Sequence, residues 1–328
     1  MTNITPQPIF EVASGFMASK LLFIANEVGL FEHLADGPVS LDELAQRTDV
    51  AKVRLRIVAD AMIVTGFLQR KAGKYQNSPT AEAFLAGNSS VDMRPFLRFW
   101  NHLSYPVWLK LEDAVCTGQA QSTMDLSDDL QRIFSEGVQA IQAVPSQALP
   151  AAYDFGRHQR MLDIGGGTGS WLTAVLRQYG DLSGTLFELP SAAAVAREDI
   201  AGGGVVQRVE VVDGNFFEDD LPPGHDVILI ANVMHLFSPA SNRDLLVRAR
   251  QSAPTGGRLL LADFWTDPSH TDPPFAALMA AEFLMITGEG DVYSEEEVRG
   301  WLNETGWQAL ERKPLAGPQS LIVAETTN

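Results

Sequence analysis

The segment of residues 161–170, MLDIGGGTGS, constrains the fold more strongly than any other part of the chain. Its apolar start predicts a strand that ends at Ile164. The glycines at 165, 167 and 169 predict a tight turn that leads into a helix over residues 171–179. Such a strand, turn and helix N-terminus together form a binding site for nucleotide-like ligands. Glycine is required where the backbone passes close to the ligand, because a Cβ atom would collide with it.

The spacing of these glycines narrows the class of ligand. They follow the pattern D-x-G-x-G-x-G, whereas dinucleotide-binding turns follow G-x-G-x-x-G, and Ser170 stands where the third dinucleotide glycine would be. The chain also lacks the G-x-x-x-x-G-K-[ST] pattern of phosphate-binding loops. Asp163, at the end of the predicted strand, suits a ligand that carries positive charge. The motif alone leaves an ordinary strand-to-helix turn as the alternative.

Composition limits the classes of protein to which the chain can belong. With 328 residues, 45% apolar and 20% charged, the chain predicts two globular domains. The net charge of −17 disfavours duplex DNA and anionic membranes as partners, because both attract Lys and Arg. Cys116 is the only cysteine, which excludes an intramolecular disulfide and a cysteine zinc site, and we predict no metal centre. With no signal-like N-terminus and no apolar run of about 18 residues, we predict a cytoplasmic protein.

Residues 9–34 predict a helix that is apolar on nearly every face. A helix of this kind must be buried on all sides, and one small helical domain offers too little interior to bury it. We therefore predict that a partner subunit covers the helix, which makes the protein a homodimer. The alternative is a central helix inside a monomer.

The next part of the chain predicts two helices followed by a hairpin. Ser40 is placed to cap the first helix, residues 51–65 carry apolar positions on one face of the second, and residues 72–73 turn the hairpin. This succession is a winged helix-turn-helix, so DNA binding is one hypothesis. However, residues 1–100 contain ten Lys plus Arg and ten Asp plus Glu, and a neutral domain lacks the basic surface that DNA binding requires. We interpret residues 1–100 as a winged-helix-like dimerisation domain.

Residues 101–150 carry no motif, and aromatic residues are frequent at and before their start. We interpret them as a helical linker that contributes to a ligand pocket, with a loop between Gly118 and Met124. The alternative is that the aromatic residues belong to the core. The side chains to which this choice applies are Phe96, Phe99, Trp100, Trp108, Phe275, Met279, Phe283 and Met285.

Residues 151–328 alternate between predicted strands and predicted helices. This alternation predicts an α/β domain with a mostly parallel, doubly wound sheet, whose ligand binds beyond the carboxyl ends of the strands. The predicted strands cover residues 161–164, 184–188, 208–213, 226–232, 257–263, 307–312 and 319–325, and the helices between them include 242–252 and 294–304.

Side chains at the ends of these strands are candidates for binding a nucleoside. Glu188 ends the second strand, where a carboxylate can accept hydrogen bonds from both hydroxyls of a ribose. The segment GNFF of residues 214–217 follows the third strand, where an apolar side chain can pack on adenine and a polar one can bond its edge. The alternatives are a solvated carboxylate and an ordinary turn.

His235 follows the fourth strand, on the side of the sheet that bears the glycine turn. This position suits a general base, because imidazole changes its charge near neutral pH. Asp263 ends the fifth strand, where its carboxylate can fix the imidazole tautomer and stabilise the imidazolium. The alternatives are a structural histidine in the core and an aspartate that caps a helix or a turn.

Together, these motifs resemble those of the plant-type S-adenosylmethionine-dependent O-methyltransferases, which include caffeate, flavonoid, hydroxyneurosporene-like and bacterial natural-product enzymes. The resemblance covers nearly the whole chain: the winged-helix region, LDIGGGTG, FELP, GNFF and the segment around His235. The acid that orients the histidine in this family lies 28 residues further on, which is the spacing from His235 to Asp263. The resemblance implies a class I methyltransferase fold, Rossmann-like, over residues 151–328, with an N-terminal helical domain for dimerisation.

The resemblance also implies a role for individual residues, with S-adenosylmethionine as the cofactor. It implies that His235 is the general base and that Asp263 orients it. The residues implied to contact the cofactor are Asp163, Gly165, Gly167, Glu188, Leu189, Gly214, Asn215, Phe216 and Asn232.

Four positions depart from the plant pattern. Leu236 and Phe237 follow the histidine where plant members have Asp-Trp, and Ala231 replaces a lysine four residues before it. Val292, beside Asp291, stands where the family has a second acid. Asp291 and Glu282 are therefore the candidates for a second acid in this chain.

The predicted function is O-methylation of an aromatic or polyketide-like hydroxyl in secondary metabolism. Two alternatives stay open: methyl transfer to carbon or nitrogen, for instance on a keto acid, and non-methylating chemistry such as hydroxylation or pericyclisation. The predicted partners are a small-molecule acceptor and a second copy of the chain, with no nucleic acid and no membrane.

Overall fold

The computed structural model describes residues 4–89, 91–122 and 126–327. The chain divides into two compact units. The first consists of Met1–Pro106 with Leu126–Ile141, and the second of Val107–Asp125 with Gln142–Asn328.

The N-terminal part of the chain is mainly helical, with one hairpin. A 3-10 turn covers Glu32–Leu34, and a π-helical turn covers Trp100–Ser104. The helices and strands are α1 (Gln7–Glu27), α2 (Leu41–Thr48), α3 (Lys52–Val64), β1 (Leu68–Lys71), β2 (Lys74–Asn77), α4 (Pro79–Phe84), α5 (Arg94–Phe99), α6 (Tyr105–Trp108), α7 (Leu111–Thr117) and α8 (Asp128–Ala152).

The predicted winged-helix succession is present as α2, α3 and the β1–β2 hairpin. The Ser40 hydroxyl caps α2 by accepting the N–H of Glu43 at 3.2 Å. At the hairpin turn, Ala72 and Gly73 both have positive φ, +50° and +77°. Two positive φ values in succession match the right-handed twist of paired strands, so this sequence closes a tight two-residue hairpin.

Helix α1 differs from its prediction in length and in burial. It ends at Glu27 instead of Leu34, and Gly29, with φ of +67°, turns the chain just beyond it. Phe23 is buried near the C-terminal end, whereas Phe10 near the N-terminal end is 64% exposed. Ile9, Val12, Phe16 and Met17 are also more than half exposed. An apolar face of this size that no described residue covers is typical of a protein interface.

Helix α1 is also long and apolar enough to cross a membrane, the only such helix in the part of the chain that the structure describes. Only 11% of its most apolar stretch is buried. The prediction that no apolar run has this length is therefore wrong. Length and composition alone do not place α1 in a membrane, because helices that pack on other protein share both.

The rest of the chain alternates strands and helices. These elements are β3 (Arg160–Ile164), α9 (Ser170–Gln178), β4 (Ser183–Glu188), α10 (Pro190–Ala201), β5 (Val209–Asp213), β6 (Val227–Ala231), α11 (Pro239–Ser252), β7 (Arg258–Phe264), α12 (Pro274–Thr287), α13 (Glu295–Glu304), β8 (Trp307–Pro314) and β9 (Gln319–Thr326).

Strands β3 to β9 form one sheet in the order β5-β4-β3-β6-β7-β9-β8. The first five in sequence are parallel to one another, and β9 is antiparallel to both of its neighbours. All seven predicted strands are present, with ends that differ by at most two residues, so the predicted doubly wound α/β fold is confirmed. The position of β9 inside the sheet was not predicted.

The core of this unit lies on both faces of the sheet, because its central strands are apolar throughout. All five residues of β6 are buried. Leu162 and Ile228 pack in the cluster on one face, and Met161 and Leu229 pack in the cluster on the other. The rigid sheet fixes the strand ends from which the candidate site is built.

The loop predicted from Gly118 to Met124 is seen over residues 118–122, and Met124 lies outside the described residues. The N–H groups of Gln121 and Ser122 both donate to the carbonyl of Met285, at 2.8 and 3.1 Å. These bonds hold the loop against α12.

The strand order reverses between β3 and β6, since the chain runs outward through β4 and β5 before it returns beside β3. Sheets of this kind bind ligands in the crevice at the carboxyl ends of the strands beside such a reversal. β3, β4, β6 and β7 place Asp163, Glu188, His235 and Asp263 at or just beyond this edge.

Candidate active site

The glycine turn connects β3 to α9 and has an open side. Gly165 and Gly167 have φ of +67° and +59°, a conformation that favours glycine. A Cβ on Gly165 would lie 3.0 Å from Val233 Cγ2, so the turn packs closely there. A Cβ on Gly167 would meet no described atom within 4 Å. The backbone of Gly167 therefore faces space that a ligand can enter.

Glu188 ties the end of β4 to this turn. Its carboxylate accepts the N–H of Gly167 at 2.9 Å and the N–H of Leu189 at 2.7 Å, and its side chain is largely buried. A carboxylate has about four lone-pair positions, so these two bonds leave capacity for ligand hydroxyls.

Asp163 is a fully buried carboxylate behind the turn. Neither of its oxygens accepts a well-formed hydrogen bond from the described residues. Burial, with a smaller contribution from the negative charge of Glu188, raises the pKa of Asp163 to about 7. A cation bound nearby would oppose both effects, because it favours the charged carboxylate.

Residues 214–216 follow β5 and complete this side of the site. The N–H of Gly214 donates to the carbonyl of Glu188 at 2.9 Å, and a Cβ on Gly214 would lie 2.3 Å from the ring of Phe187. The side-chain oxygen of Asn215 accepts the N–H of Phe217 at 3.0 Å. The Phe216 ring reaches the glycine turn, 3.4 Å from where a Cβ of Gly165 would be. Only glycine at 214 permits this packing.

His235, in the 3-10 turn Met234–Leu236 that follows β6, forms a buried pair with Asp263 near the end of the adjacent parallel strand β7. His235 Nδ1 lies 2.6 Å from Asp263 Oδ1, which also accepts the N–H of Phe264 at 2.8 Å. The other Asp263 oxygen has no partner among the described residues. Because a carboxylate accepts from Nδ1–H, the pair favours the tautomer with its free lone pair on Nε2. This arrangement can remove a proton from a hydroxyl group placed at Nε2.

Asn232 lies three residues before His235 and has a strained backbone, with φ of +55°. Its N–H donates to the carbonyl of Ala262 at 2.9 Å, and its side-chain oxygen accepts from Gln319 Nε2 at 2.8 Å. Its buried Nδ2 has no partner in the described part of the chain. Sequence reasoning missed Gln319, because nothing in the sequence indicates that β9 enters the sheet beside β7.

The two candidates for a second acid differ in what they contact. Val292 is buried among apolar side chains, and Asp291 accepts the N–H of Val292 at 2.7 Å. The contact of Asp291 with His235 is through the backbone, where its N–H donates to the His235 carbonyl at 3.1 Å. Glu282 on α12 accepts a hydrogen bond from the indole N–H of Trp108.

The apolar side chains on α12 divide between core and site. Met285 is completely buried, whereas Phe275 is about half exposed. Phe283 stacks on the His235 ring, with 3.7 Å between ring centroids.

Two of the aromatic residues that precede residue 101 lie in the first unit. Phe96 and Trp100 pack against the core of that unit.

Comparison with known proteins identifies the family. The model of the O-methyltransferase domain matches residues 100–308, and that of the O-methyltransferase dimerisation domain matches residues 10–87. The chain belongs to the O-methyltransferase family. The 3-hydroxy-5-methyl-1-naphthoate 3-O-methyltransferase of Streptomyces sahachiroi is 30% identical to this methyltransferase over 320 residues, 95% of this chain and 92% of the relative.

Solved structures of relatives have the same fold. Mitomycin 7-O-methyltransferase MmcR is 26% identical, with a TM-score of 0.83 over 98% of this chain and 97% of that chain. The structure of PigF with SAH is 27% identical, with a TM-score of 0.85 over 98% of this chain and 100% of that chain. PigF is an S-adenosyl-L-methionine-dependent methyl transferase of Serratia sp..

These matches confirm the resemblance, the methyltransferase fold and S-adenosylmethionine as the methyl donor. The protein is therefore an S-adenosylmethionine-dependent O-methyltransferase with a dimerisation domain. The roles of single residues and the bounds of the three predicted parts, 1–100, 101–150 and 151–328, stay predictions, because membership of a family does not test them.

Proposed function

We propose that this methyltransferase methylates a hydroxyl group of an aromatic or polyketide-like small molecule, with His235 as the general base. The observation that carries this proposal is the buried pair of His235 and Asp263, 2.6 Å apart, at the sheet edge that bears the glycine turn. A histidine whose Nδ1 is bound to a buried carboxylate is oriented to receive a proton at Nε2.

The residues around the glycine turn fit the methyl donor. Asp163 supplies a buried negative charge for its cationic part, and the free acceptor capacity of Glu188 suits the ribose hydroxyls. Gly165 and Gly167 admit the ligand close to the backbone. Leu189, Gly214, Asn215 and Phe216 would hold the adenine, and Asn232 offers as a donor its Nδ2, which has no partner among the described residues.

The reaction requires the protein to align the acceptor hydroxyl and to remove its proton. S-adenosylmethionine, when bound, supplies a methyl group on a sulfonium whose thioether is already a good leaving group. The chain holds the acceptor hydroxyl in line with that methyl, and alignment alone provides up to about 7–11 kcal/mol in ideal cases. His235 Nε2 takes the hydroxyl proton, and Asp263 stabilises the imidazolium that forms. General-base catalysis of this kind typically contributes about 10²–10⁴-fold.

The same proposal assigns a role to each part of the chain. Residues 1–100 form the dimerisation domain, residues 101–150 contribute to the acceptor pocket, and residues 151–328 bind the cofactor. The exposed apolar face of α1 packs on a second copy, which makes the enzyme a homodimer. The net charge of −17 suits an enzyme with a small-molecule acceptor and no nucleic-acid partner. We propose that this enzyme is cytoplasmic.

Two measurements test the proposed function. Calorimetric titration with S-adenosylmethionine, S-adenosylhomocysteine and NAD is expected to show micromolar binding of the first two and none of NAD. Transfer of labelled methyl is then measured on a panel of monocyclic, bicyclic and tetracyclic phenols that includes 3-hydroxy-5-methyl-1-naphthoate. We expect the label on oxygen. Label on carbon or nitrogen, or no transfer from a bound donor to any phenol, would reject an aromatic hydroxyl as the acceptor.

Binding of S-adenosylmethionine is expected to strengthen as pH rises toward 7. The pKa of Asp163 is raised to about 7, so the side chain is largely neutral below that pH, and a cationic ligand must displace its proton. The Kd should fall by up to about tenfold per pH unit below 7 and then level off. Titration calorimetry from pH 5.5 to 8.5 measures the slope.

The isosteric variant Asp163→Asn serves as the control for this pH dependence. Titration of the ligand itself affects the Kd of both proteins equally. The difference between their pH dependences of Kd therefore reports the titration of the Asp163 carboxylate alone. Equal slopes in the wild type and the variant would show that Asp163 does not exchange its proton for the cofactor.

A further inference from the structure

One face of the His235 imidazole is covered by an aromatic ring. The Phe283 and His235 rings are 3.7 Å apart between centroids and only 19° from parallel. The Phe264 ring lies farther from the imidazole, tilted by 54° at 6.0 Å between centroids. Phe283 is almost completely buried, so this stack is not a contact at a mobile surface.

The backbone around Phe283 packs directly on the backbone of His235. A Cβ on Gly290 would lie 2.7 Å from the His235 carbonyl oxygen and 2.8 Å from that of Phe283. The N–H of Asp291 donates to the same His235 carbonyl at 3.1 Å. The end of α12, the loop over 288–291 and the turn that carries His235 therefore form one closely packed body.

Two sides of the imidazole are occupied by other side chains. Asp263 binds Nδ1, and Phe283 covers one face of the ring. A hydroxyl that reacts must approach Nε2 in the plane of the ring, because the Nε2 lone pair lies in that plane. The orientation of the plane thus decides whether the base can receive the proton.

A single hydrogen bond does not fix that plane. The bond from Nδ1 to Asp263 defines an axis, and the ring can still rotate about it while the bond is kept. Stacking at 3.7 Å against a buried ring removes this rotation, since turning the imidazole would drive its edge into Phe283. The face of the aromatic ring also attracts the positive charge that His235 acquires during the reaction.

We propose that Phe283 is a positioning residue of this methyltransferase, which sets the plane of His235 so that Nε2 faces the acceptor hydroxyl. The inference rests on the proposed role of His235 as the general base. Phe283 acts through His235, and its own atoms take no part in proton transfer.

The kinetics of Phe283→Leu test this role. They are measured with the phenol of the panel that the wild-type enzyme methylates fastest. We expect kcat to fall about tenfold at pH 7, because even a small misalignment of a catalytic group lowers the rate of the reaction strongly. The Kd for S-adenosylhomocysteine should stay unchanged. Phe283→Tyr, which keeps the aromatic face, should restore most of kcat. Leu278→Ala, an exposed position on the same helix, is the matched control.

The pH dependence of the defect separates positioning from a general loss of structure. A phenol ionises at a pH of about 10, as tyrosine does. As the pH approaches that value, more acceptor is already deprotonated and the base is needed less, so the defect of Phe283→Leu should shrink. A defect of the same size at every pH would mean that Phe283 only stabilises the fold, which would overturn the inference.

His235→Asn is measured in parallel to separate the two proposals. Wild-type turnover in His235→Asn would reject the general base itself. A large loss in His235→Asn with no loss in Phe283→Leu would reject the positioning role alone.

Nuclear magnetic resonance of the six histidines, labelled at Cε1, tests the stack without any acceptor. The signal that disappears in His235→Asn should be shifted upfield by the Phe283 ring current and should move downfield in Phe283→Leu. A signal that stays in place would show that the rings do not stack, which would overturn the inference.

Discussion

His235→Ala is expected to lower kcat by about 10²–10⁴-fold, the usual contribution of a general base, while the Kd for S-adenosylmethionine stays near that of the wild type. The expectation follows from the geometry of the pair: Nδ1 is bound to a buried carboxylate, so only Nε2 can receive the hydroxyl proton. Alanine removes that acceptor and leaves the glycine turn, Asp163 and Glu188 untouched. Single-turnover kinetics at saturating donor measures the effect directly.

A matched histidine elsewhere provides the control. His33 lies in the 3-10 turn Glu32–Leu34 of the first unit, and His33→Ala should keep wild-type turnover. Turnover of His235→Ala within about tenfold of the wild type would contradict the assignment, since base catalysis is worth more than that.

Glu188→Ala should weaken the binding of S-adenosylmethionine by about 10²-fold or more, since each hydrogen bond to a charged group contributes about 1.5–3 kcal/mol and a ribose can make two. The same carboxylate accepts the N–H of Gly167, so its loss also loosens the turn on which the ligand rests. We expect kcat at saturating donor to change much less than Kd. Titration calorimetry and initial rates at several donor concentrations separate the two effects.

Asp213 offers a neighbouring carboxylate for comparison. It stands beside Glu188 in the register of β4 and β5, but it pairs with Arg197 at 2.6 Å. Asp213→Asn should therefore bind the donor like the wild type. An unchanged Kd in Glu188→Ala would mean that the ribose is bound elsewhere.

Much of the cofactor domain could be predicted because its strands are short apolar runs with polar ends. The run predicted over 226–232 is Val227–Ala231 in the structure, and the runs that end at Glu188 and Asp263 likewise lie within two residues of observed strands. Parallel neighbours share a carboxyl edge, so polar residues at the ends of such runs must lie close together. That rule is sufficient to predict that His235 and Asp263 are neighbours.

The remaining features depend on contacts that sequence spacing does not encode. Phe283 looks like any apolar residue of a helix, and its position on His235 follows from how α12 packs. Gln319 reaches Asn232 across 87 residues only because β9 enters the sheet beside β7. The early end of α1 followed from one glycine, Gly29, within a continuous apolar pattern.

The position of β9 inside the sheet affects how the nascent chain folds. Of the described strands it is the last to leave the ribosome, yet it must insert between β7 and β8. Until it does, β7 presents an unpaired edge, the kind of edge that promotes aggregation of nascent chains. Gln319 arrives with the same strand, so the support of Asn232 is completed only when the sheet closes. Sheet closure and completion of this part of the site are thus one late event, and a chain that stops before β9 lacks both.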